Sequence, residues 1–232
     1  MYADDTVITL AENDSESLTT NTERALNRTK KYCAPNNLVL NVDKTVQIIF
    51  NTRLKNTETS VGRLHEYKTN TKYLGVTINS DLSWKTHIDL LCRKISSGAF
   101  LIRRLRQIST PEAAKTAYYA FLETHLRFGI ATWGGTSATN LDRVLIQQKK
   151  AIRSLTGLEQ RESCRAAFVE QNILTVVSLY IQEVILHTVS TETTKTQRYP
   201  PSLHQACRKL CPTSSPPHSI QQETIIHWCK TF

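Results

Sequence analysis

The chain has 232 residues, of which 40% are hydrophobic and 21% are charged. This composition excludes a collagen-like or wholly disordered chain, and no apolar run reaches the roughly 18 residues of a membrane span. Lysine and arginine outnumber the acids by 29 to 20, for a net charge of +9, which predicts nucleic acid rather than a membrane as the partner. The chain opens with acidic residues and has only six cysteines. We therefore expect an intracellular protein, nuclear or cytoplasmic and not secreted.

The first third of the chain predicts a small α+β region over residues 1–80. A turn leads into a strand within residues 3–10, and the apolar stripe of residues 16–34 predicts a helix. Val46 to Phe50 is typical of a short strand. Tyr73 to Ile78 predicts another strand, in which Gly75 would allow close backbone approach.

From Ser83 onward the apolar period changes to that of helices, over residues 81–190. One helix begins near Ser83, a second runs from Ser109 to the Gly134-Gly135 pair, and a third covers about 141–155 with Gly157 after it. Two more are predicted near 162–170 and 175–189, the last apolar on most sides and therefore buried. Residues 191–232 hold five of the seven prolines and predict a tail of low structure. The predicted fold class is α+β, with a small sheet, a helical domain and a disordered tail.

Asp4 and Asp5 are adjacent carboxylates immediately before the first predicted strand. Adjacent acids repel each other unless a cation or solvent separates their charges. Mg²⁺ suits such a pair, because it takes carboxylate oxygens and shares its shell with phosphates and water. Taken alone, the pair is better explained as a solvated turn than as a metal site.

Several motifs accompany the acidic pair in a fixed order. Tyr2-Ala3-Asp4-Asp5 resembles the Y-x-D-D box of reverse transcriptases, and residues 40–50 and 72–78 resemble the following palm and primer-grip motifs. Residues 117–153 resemble the thumb. Together these motifs resemble the polymerase of a non-LTR, LINE-like retrotransposon of the jockey group. The resemblance covers residues 1–190 and implies a partial palm over 1–80 and a thumb or connection region over 81–190.

The resemblance implies roles for individual residues. Asp4 would be the main ligand and Asp5 a weaker ligand of two Mg²⁺ ions that drive nucleotidyl transfer from a dNTP to a DNA primer on an RNA template. Lys44 would protonate the leaving pyrophosphate, although a solvated loop lysine is the alternative. The residues implied near the primer or nucleotide are Tyr2, Tyr73, Leu74 and Gly75, for which ordinary strand packing is the alternative.

The chain also departs from the family's pattern. Only Met1 precedes the acidic motif, and the fingers, the first half of the palm and an upstream metal-binding aspartate do not lie within these residues. We therefore expect a reverse-transcriptase fragment that does not polymerise alone, so whether this chain is itself an enzyme stays open. The alternatives are a non-catalytic nucleic-acid-binding remnant and a pseudogene product.

Two basic clusters lie in the predicted thumb. A face of cations without acids would contact the phosphates of a template–primer duplex, whereas a solvated helix face is the alternative. The aromatic residues of this region are expected in the core rather than as stacking platforms for bases. The first cluster consists of Arg93, Lys94, Arg103, Arg104 and Arg106, and the second of Lys149, Lys150 and Arg153.

The last segment carries six histidine and cysteine residues between His204 and Cys229. Structural zinc sites favour two compact pairs of ligands. Cys207 and Cys211 fit loosely, but His227 and Cys229 are too close for a second pair. The spacing therefore argues against zinc.

Overall fold

The computed structural model describes residues 5–41, 44–50, 68–198 and 222–229, with the backbone alone at 5, 191–198 and 222–229. The chain divides into two compact units, residues 1–86 with 216–232, and residues 87–215. The described residues combine many helices with two small sheets, as the predicted α+β class requires. The assignment of palm and thumb stays a prediction. None of the described helices is long and apolar enough to cross a membrane.

The first unit begins with β1 (Asp5–Glu12), α1 (Ser15–Cys33) and β2 (Val46–Phe50). Helix α1 begins where it does because the Asp14 side chain accepts a hydrogen bond of 2.7 Å from the backbone N–H of Ser17. Its buried residues recur every three or four positions and face β1. The bounds of β2 are those predicted, since its β-branched and aromatic residues favour a strand.

The predicted low-structure tail contains two regular segments, which corrects that prediction for the residues involved. Helix α8 continues to Arg198, and β5 (Gln222–Cys229) lies between β1 and β2 in an antiparallel three-stranded sheet. The prediction rested on the proline-rich composition of the segment and did not consider the run Thr224-Ile225-Ile226, whose β-branched residues favour a strand. The remainder of 199–232 lies outside the described residues.

The strand predicted over Tyr73–Ile78 is wrong, because it is a hairpin. Strands β3 (Asn70–Tyr73) and β4 (Val76–Asn79) pair antiparallel around the two-residue turn Leu74-Gly75. Both turn residues have positive φ, +44° and +85°. This conformation matches the twist of a tight hairpin and favours glycine or asparagine, so Leu74 is strained there.

The second unit is a group of helices. Their buried faces form one core that includes Tyr118, Trp133 and Ile152, each with no exposed surface. The helices are α2 (Lys85–Ile108), α3 (Pro111–Tyr118), α4 (Thr124–Arg127), α5 (Ile130–Trp133), α6 (Ala138–Thr156), α7 (Arg165–Glu170) and α8 (Val176–Arg198).

The single helix predicted from Ser109 to Gly134 is divided into α3, a π turn over Tyr119–Glu123, α4 and α5. The break between α4 and α5 follows from the extended backbone of Phe128. The division also corrects the expectation for the aromatic residues. Tyr118 and Trp133 lie in the core, but Tyr119 and Phe121 are exposed.

Helix α8 was predicted to be buried on most sides, and this is wrong. Val176 and Leu179 face α4, α5 and α6, whereas Ile181, Ile185 and Val189 are each more than half exposed. One side of α8 therefore packs against other helices, and the apolar residues of the other side are exposed to solvent for more than half of their surface. An apolar sequence shows only that a side chain favours burial, not that a partner element is present.

Candidate nucleic-acid interface

The residues of the predicted metal site are outside the described structure in whole or in part. Tyr2 and Asp4 are not described, and Asp5 contributes only its backbone, as the first residue of β1. Among the residues that are described, no group of three or more histidine, cysteine, aspartate or glutamate side chains is arranged to hold a metal ion. The magnesium ligands therefore stay a prediction.

Lys44 lies in the turn that leads into β2. Its backbone N–H donates a 3.0 Å hydrogen bond to Oδ1 of Asn41, and the Thr45 hydroxyl donates to the Asn41 carbonyl at 2.7 Å. The side chain and the backbone carbonyl of Asn41 therefore both hold the start of β2 in place. The Lys44 side chain is exposed. This placement keeps the ammonium accessible to a phosphate ligand.

The predicted primer-grip residues form the tip of the β3–β4 hairpin. Tyr73 is the last residue of β3 and half-buried, while Leu74 is 39% exposed at φ +44°. A left-handed backbone costs a branched apolar residue on the order of 1 kcal/mol. The hairpin therefore holds an exposed leucine at a strained position, next to Gly75.

The structure brings parts of the two basic clusters together. Arg103 and Arg106 on α2 face Lys150 and Arg153 on α6 across a groove of about 660 Å³, which we call the basic groove. In each pair the two residues are three positions apart, so they lie on the same face of their helix. Among the described residues that line the groove, none is acidic, so the four positive charges face a common space. The remaining lining residues are Gln107, Ser154, Gly157, Leu158 and Gln160.

At Gly157 the end of α6 lies directly against the side chain of Arg106 from α2. It ends α6 in a left-handed conformation, with φ +80°, and its N–H donates to the Arg153 carbonyl at 2.8 Å. The guanidinium of Arg106 occupies the space that a Cβ at Gly157 would need. A cation at the C-terminal end of α6 also interacts favourably with the helix dipole. Glycine therefore allows both the helix ending and the position of Arg106.

Arg153 is held at its place by the loop after α6. Its Nε donates a hydrogen bond of 2.9 Å to the backbone carbonyl of Glu162. Because the guanidinium is planar, this bond fixes the plane in which its other N–H groups point. Within the described residues, the two ion pairs are Arg127 with Glu123 and Arg143 with Asp89, so the groove cations belong to neither.

The other predicted cations of α2 do not line the groove. Lys94 is nine residues before Arg103, which places it about 180° away around the helix. The guanidinium of Arg104 lies 5.6 Å from the centre of the Phe100 ring on its own helix. Arg93 is exposed on α2 outside the lining. The first cluster is thus spread around α2, and only two of its members face α6.

A second concave surface adjoins the basic groove. It lies between α6, α7 and α8, has a volume of about 730 Å³ and shares Arg153 with the groove. We call it the α6–α8 pocket. Its apolar lining includes Leu145, Phe168 and Ile173, and Lys149 lies here rather than in the groove. The remaining lining residues are Ser163, Cys164, Arg165, Val169, Asn172, Leu174, Thr175 and Ser178.

Sequence reasoning missed Gly157 as a groove residue and the α6–α8 pocket altogether. The pattern identified Gly157 as a helix end, but its proximity to Arg106 depends on how α2 packs against α6. The i, i+3 spacing of Arg103 and Arg106, and of Lys150 and Arg153, was the available signal that two cations share a face.

Comparison with known proteins finds sequence similarity to transposon polymerases, the class of protein that the motifs resemble. The chain is 23% identical over 162 residues to the probable RNA-directed DNA polymerase from transposon BS of Drosophila melanogaster. It is 24% identical over 162 residues to the RNA-directed DNA polymerase from mobile element jockey of the same organism. Each match covers 67% of this chain but 18% of the relative.

No protein-family model matches the chain, and no solved structure matches it. The two relatives nevertheless confirm the resemblance that the motifs predicted. The chain is similar in sequence to the RNA-directed DNA polymerases of two Drosophila melanogaster transposons, BS and jockey.

Proposed function

We propose that the chain is the part of a transposon RNA-directed DNA polymerase that holds an RNA–DNA hybrid through its sugar–phosphate backbones. The observation that carries the proposal is the basic groove. Its four cations come from two helices, face one space, and have no acid among the described lining residues. The names of the two relatives supply the nature of the nucleic acid, an RNA template with its DNA product.

Phosphate contact explains the residue types of the groove better than base reading does. Arginine presents a planar fork that matches two phosphate oxygens, and lysine supplies a compact charge. Such contacts position a duplex without reading its sequence. The hydroxyl of Ser154 and the amides of Gln107 and Gln160 add donors of the kind that bind phosphate and sugar oxygens.

The test is the affinity of the full chain for a fluorescently labelled RNA–DNA hybrid at fixed salt. Arg103→Gln with Lys150→Gln removes one cation from each side of the groove, and both residues are in helices whose cores stay intact. We expect binding to weaken roughly a hundredfold or more, because two contacts are lost and each charge-assisted hydrogen bond to phosphate contributes about 1.5–3 kcal/mol.

The matched control is Lys115→Gln, which removes a charge from α3 outside the groove. It should bind the hybrid as the unchanged chain does. Because the groove variant removes two charges and the control removes one, a control that weakens binding by half as much in free energy, or more, would contradict a specific groove and leave only a general effect of net charge.

We also propose that the tip of the β3–β4 hairpin contacts the primer end, as the resemblance implies for Tyr73, Leu74 and Gly75. The strain at Leu74 supports this, because strained backbone persists where function requires it. Leu74→Asn relieves the strain, since asparagine favours this turn position. We expect a higher melting temperature but weaker binding of a hybrid with an open primer 3′ end.

A hybrid whose primer end is closed by a hairpin loop is the control ligand for Leu74→Asn. Its affinity should not change. If the substitution raises the melting temperature and leaves both ligands bound equally well, the hairpin tip does not contact the primer end.

Nucleotidyl transfer with two Mg²⁺ ions held by Asp4 and Asp5, with Lys44 as proton donor to pyrophosphate, is the proposed chemistry of the longer polymerase. The two carboxylates would supply oxygen ligands, and the ions would activate the attacking and leaving oxygens. A primer-extension assay with Mg²⁺ and dNTP tests this chain. We expect no extension, because one metal-anchoring aspartate of the family does not lie within these residues; synthesis abolished by Asp4→Asn would contradict that expectation.

A further inference from the structure

The α6–α8 pocket has the size and lining of a site for a small planar group. Its volume of about 730 Å³ falls within the range of roughly 300–1,000 Å³ that ligand sites occupy. Leu145, Phe168 and Ile173 supply an apolar wall, and Asn172 and Ser178 supply polar atoms. Apolar walls with a few polar groups are the chemistry that receives a nucleobase or a similarly flat ring.

The charged residues of the pocket favour an anionic occupant. Lys149, Arg153 and Arg165 line it, and none of the described lining residues is acidic. Val169 is 73% exposed at the pocket and Leu174 is 41% exposed. An apolar surface beside three cations fits a ligand whose flat apolar part is attached to phosphate.

The pocket adjoins the basic groove at Arg153. This residue lines both surfaces, and its bond to the Glu162 carbonyl holds it between them. A strand whose phosphates follow Arg103, Arg106 and Lys150 therefore reaches the pocket at the next cation. Positive grooves that track a backbone beside apolar or aromatic pockets are typical of proteins that bind unpaired nucleotides.

We propose that the α6–α8 pocket receives an unpaired nucleobase of a strand whose backbone lies in the basic groove. This inference rests on the proposed function, because the groove must first bind nucleic acid. It adds that the protein distinguishes a hybrid with a single-stranded overhang from a blunt hybrid. An acidic amphipathic peptide has related chemistry, but the shared Arg153 favours a ligand that also fills the groove.

The experiment compares the full chain's affinity for three labelled probes at one salt concentration. They are a blunt RNA–DNA hybrid, the same hybrid with an overhang of a few nucleotides, and that overhang built from abasic nucleotides. We expect the overhang to bind about fivefold tighter than the blunt hybrid. The abasic overhang should bind more weakly than the overhang with bases, because it keeps the phosphates that the pocket cations attract but lacks the bases.

Val169→Trp tests the pocket itself, because the large ring fills its mouth from an exposed position and changes no charge. It should remove the advantage of the overhang over the abasic overhang, while the blunt hybrid binds unchanged. Ile146→Trp is the control, since Ile146 is 51% exposed on α6 and lines neither surface. This variant should keep the preference for the overhang.

The outcomes separate the inference from the proposed function. Equal, salt-sensitive binding of the overhang and abasic-overhang probes would overturn the base pocket and leave the hybrid groove standing. No binding of any probe would overturn both. If a short peptide of glutamate and leucine binds the unchanged chain, fails to bind Val169→Trp and is not displaced by the overhang probe, the pocket is a peptide site and the inference is wrong.

Discussion

Gly157 satisfies two requirements, a left-handed backbone and space for Arg106, and different substitutions test each of them. Its φ of +80° disfavours most side chains, and a Cβ would collide with the Arg106 guanidinium. Gly157→Ala should therefore lower stability by about 1 kcal/mol, from the backbone conformation, and should also weaken hybrid binding because Arg106 must move. Thermal unfolding and hybrid affinity measured on the same samples check both effects.

Gly157→Asn distinguishes the two requirements. Asparagine tolerates a left-handed backbone better than alanine does, so this variant should regain much of the stability. Its Cβ still displaces Arg106, so the affinity should stay low. An asparagine variant that binds the hybrid as tightly as the unchanged chain would show that the position of Arg106 does not matter for binding.

His87 makes the stability of the helical unit depend on pH. It is 8% exposed beside the Trp133 ring, at 5.8 Å between ring centres, and burial followed by the charge of Lys94 lowers its pKa. The same two causes lower the pKa of His125. Below a pH of about 6.5 the unfolded chain therefore binds protons that the folded chain resists, so stability is lost as the pH falls.

The expected result is a melting temperature several degrees lower at pH 5.5 than at pH 7.5. His87→Gln should reduce this difference, because it removes a buried imidazole that resists protonation in the folded chain. His187→Gln, at an exposed position on α8, is the control and should leave the difference as it is. If the melting temperature of His87→Gln falls between pH 7.5 and pH 5.5 by as much as that of the unchanged chain, His87 is not the source of the pH dependence.

Among the elements, α3, α6 and α8 are tied together by Gln148, which has no exposed surface. Its Nε2 donates to the Tyr118 hydroxyl at 2.9 Å and to the Leu174 carbonyl at 2.8 Å. Its Oε1 accepts from the Val176 N–H, also at 2.9 Å. Gln148→Met keeps the volume but leaves these buried groups without partners. We expect a loss of about 2–4 kcal/mol in the free energy of unfolding, measured with urea.

Gln147→Met is the control for that substitution. Gln147 is the neighbouring residue on α6, is half-buried and accepts one bond of 3.2 Å from the Ser96 hydroxyl. Its substitution should change the unfolding free energy by less than about 1 kcal/mol. Similar losses for both variants would show that the buried network is not what holds the three helices together.

The elements also show where a sequence pattern stops being informative. The bounds of β2 and the end of α6 at Gly157 were predictable, because propensity and capping are local properties. The β3–β4 turn was not, since Leu74 at positive φ follows no local preference. The placement of Arg103 and Lys150 in one groove could not be predicted either, because it depends on how two helices distant in sequence pack.

At the scale of the whole molecule, the net charge of +9 is a weaker guide than its arrangement. A general excess of cations attracts any polyanion, and salt screens exposed charges that act at a distance. Cations that contact phosphates release bound counterions in a number that salt titration measures. The basic groove places four such cations in one space. Direct phosphate contact in the groove and general attraction by net charge therefore predict different dependences of affinity on salt.

We therefore expect log affinity for the RNA–DNA hybrid to fall with log salt concentration with a slope of about −3 to −4, as four phosphate contacts require. Arg103→Gln with Lys150→Gln should reduce the steepness by about two, because two contacts are lost. Lys115→Gln lowers the net charge by one but should keep the slope, since it removes no contact. A slope that follows net charge alone in all three proteins would mean that the hybrid does not lie in the groove.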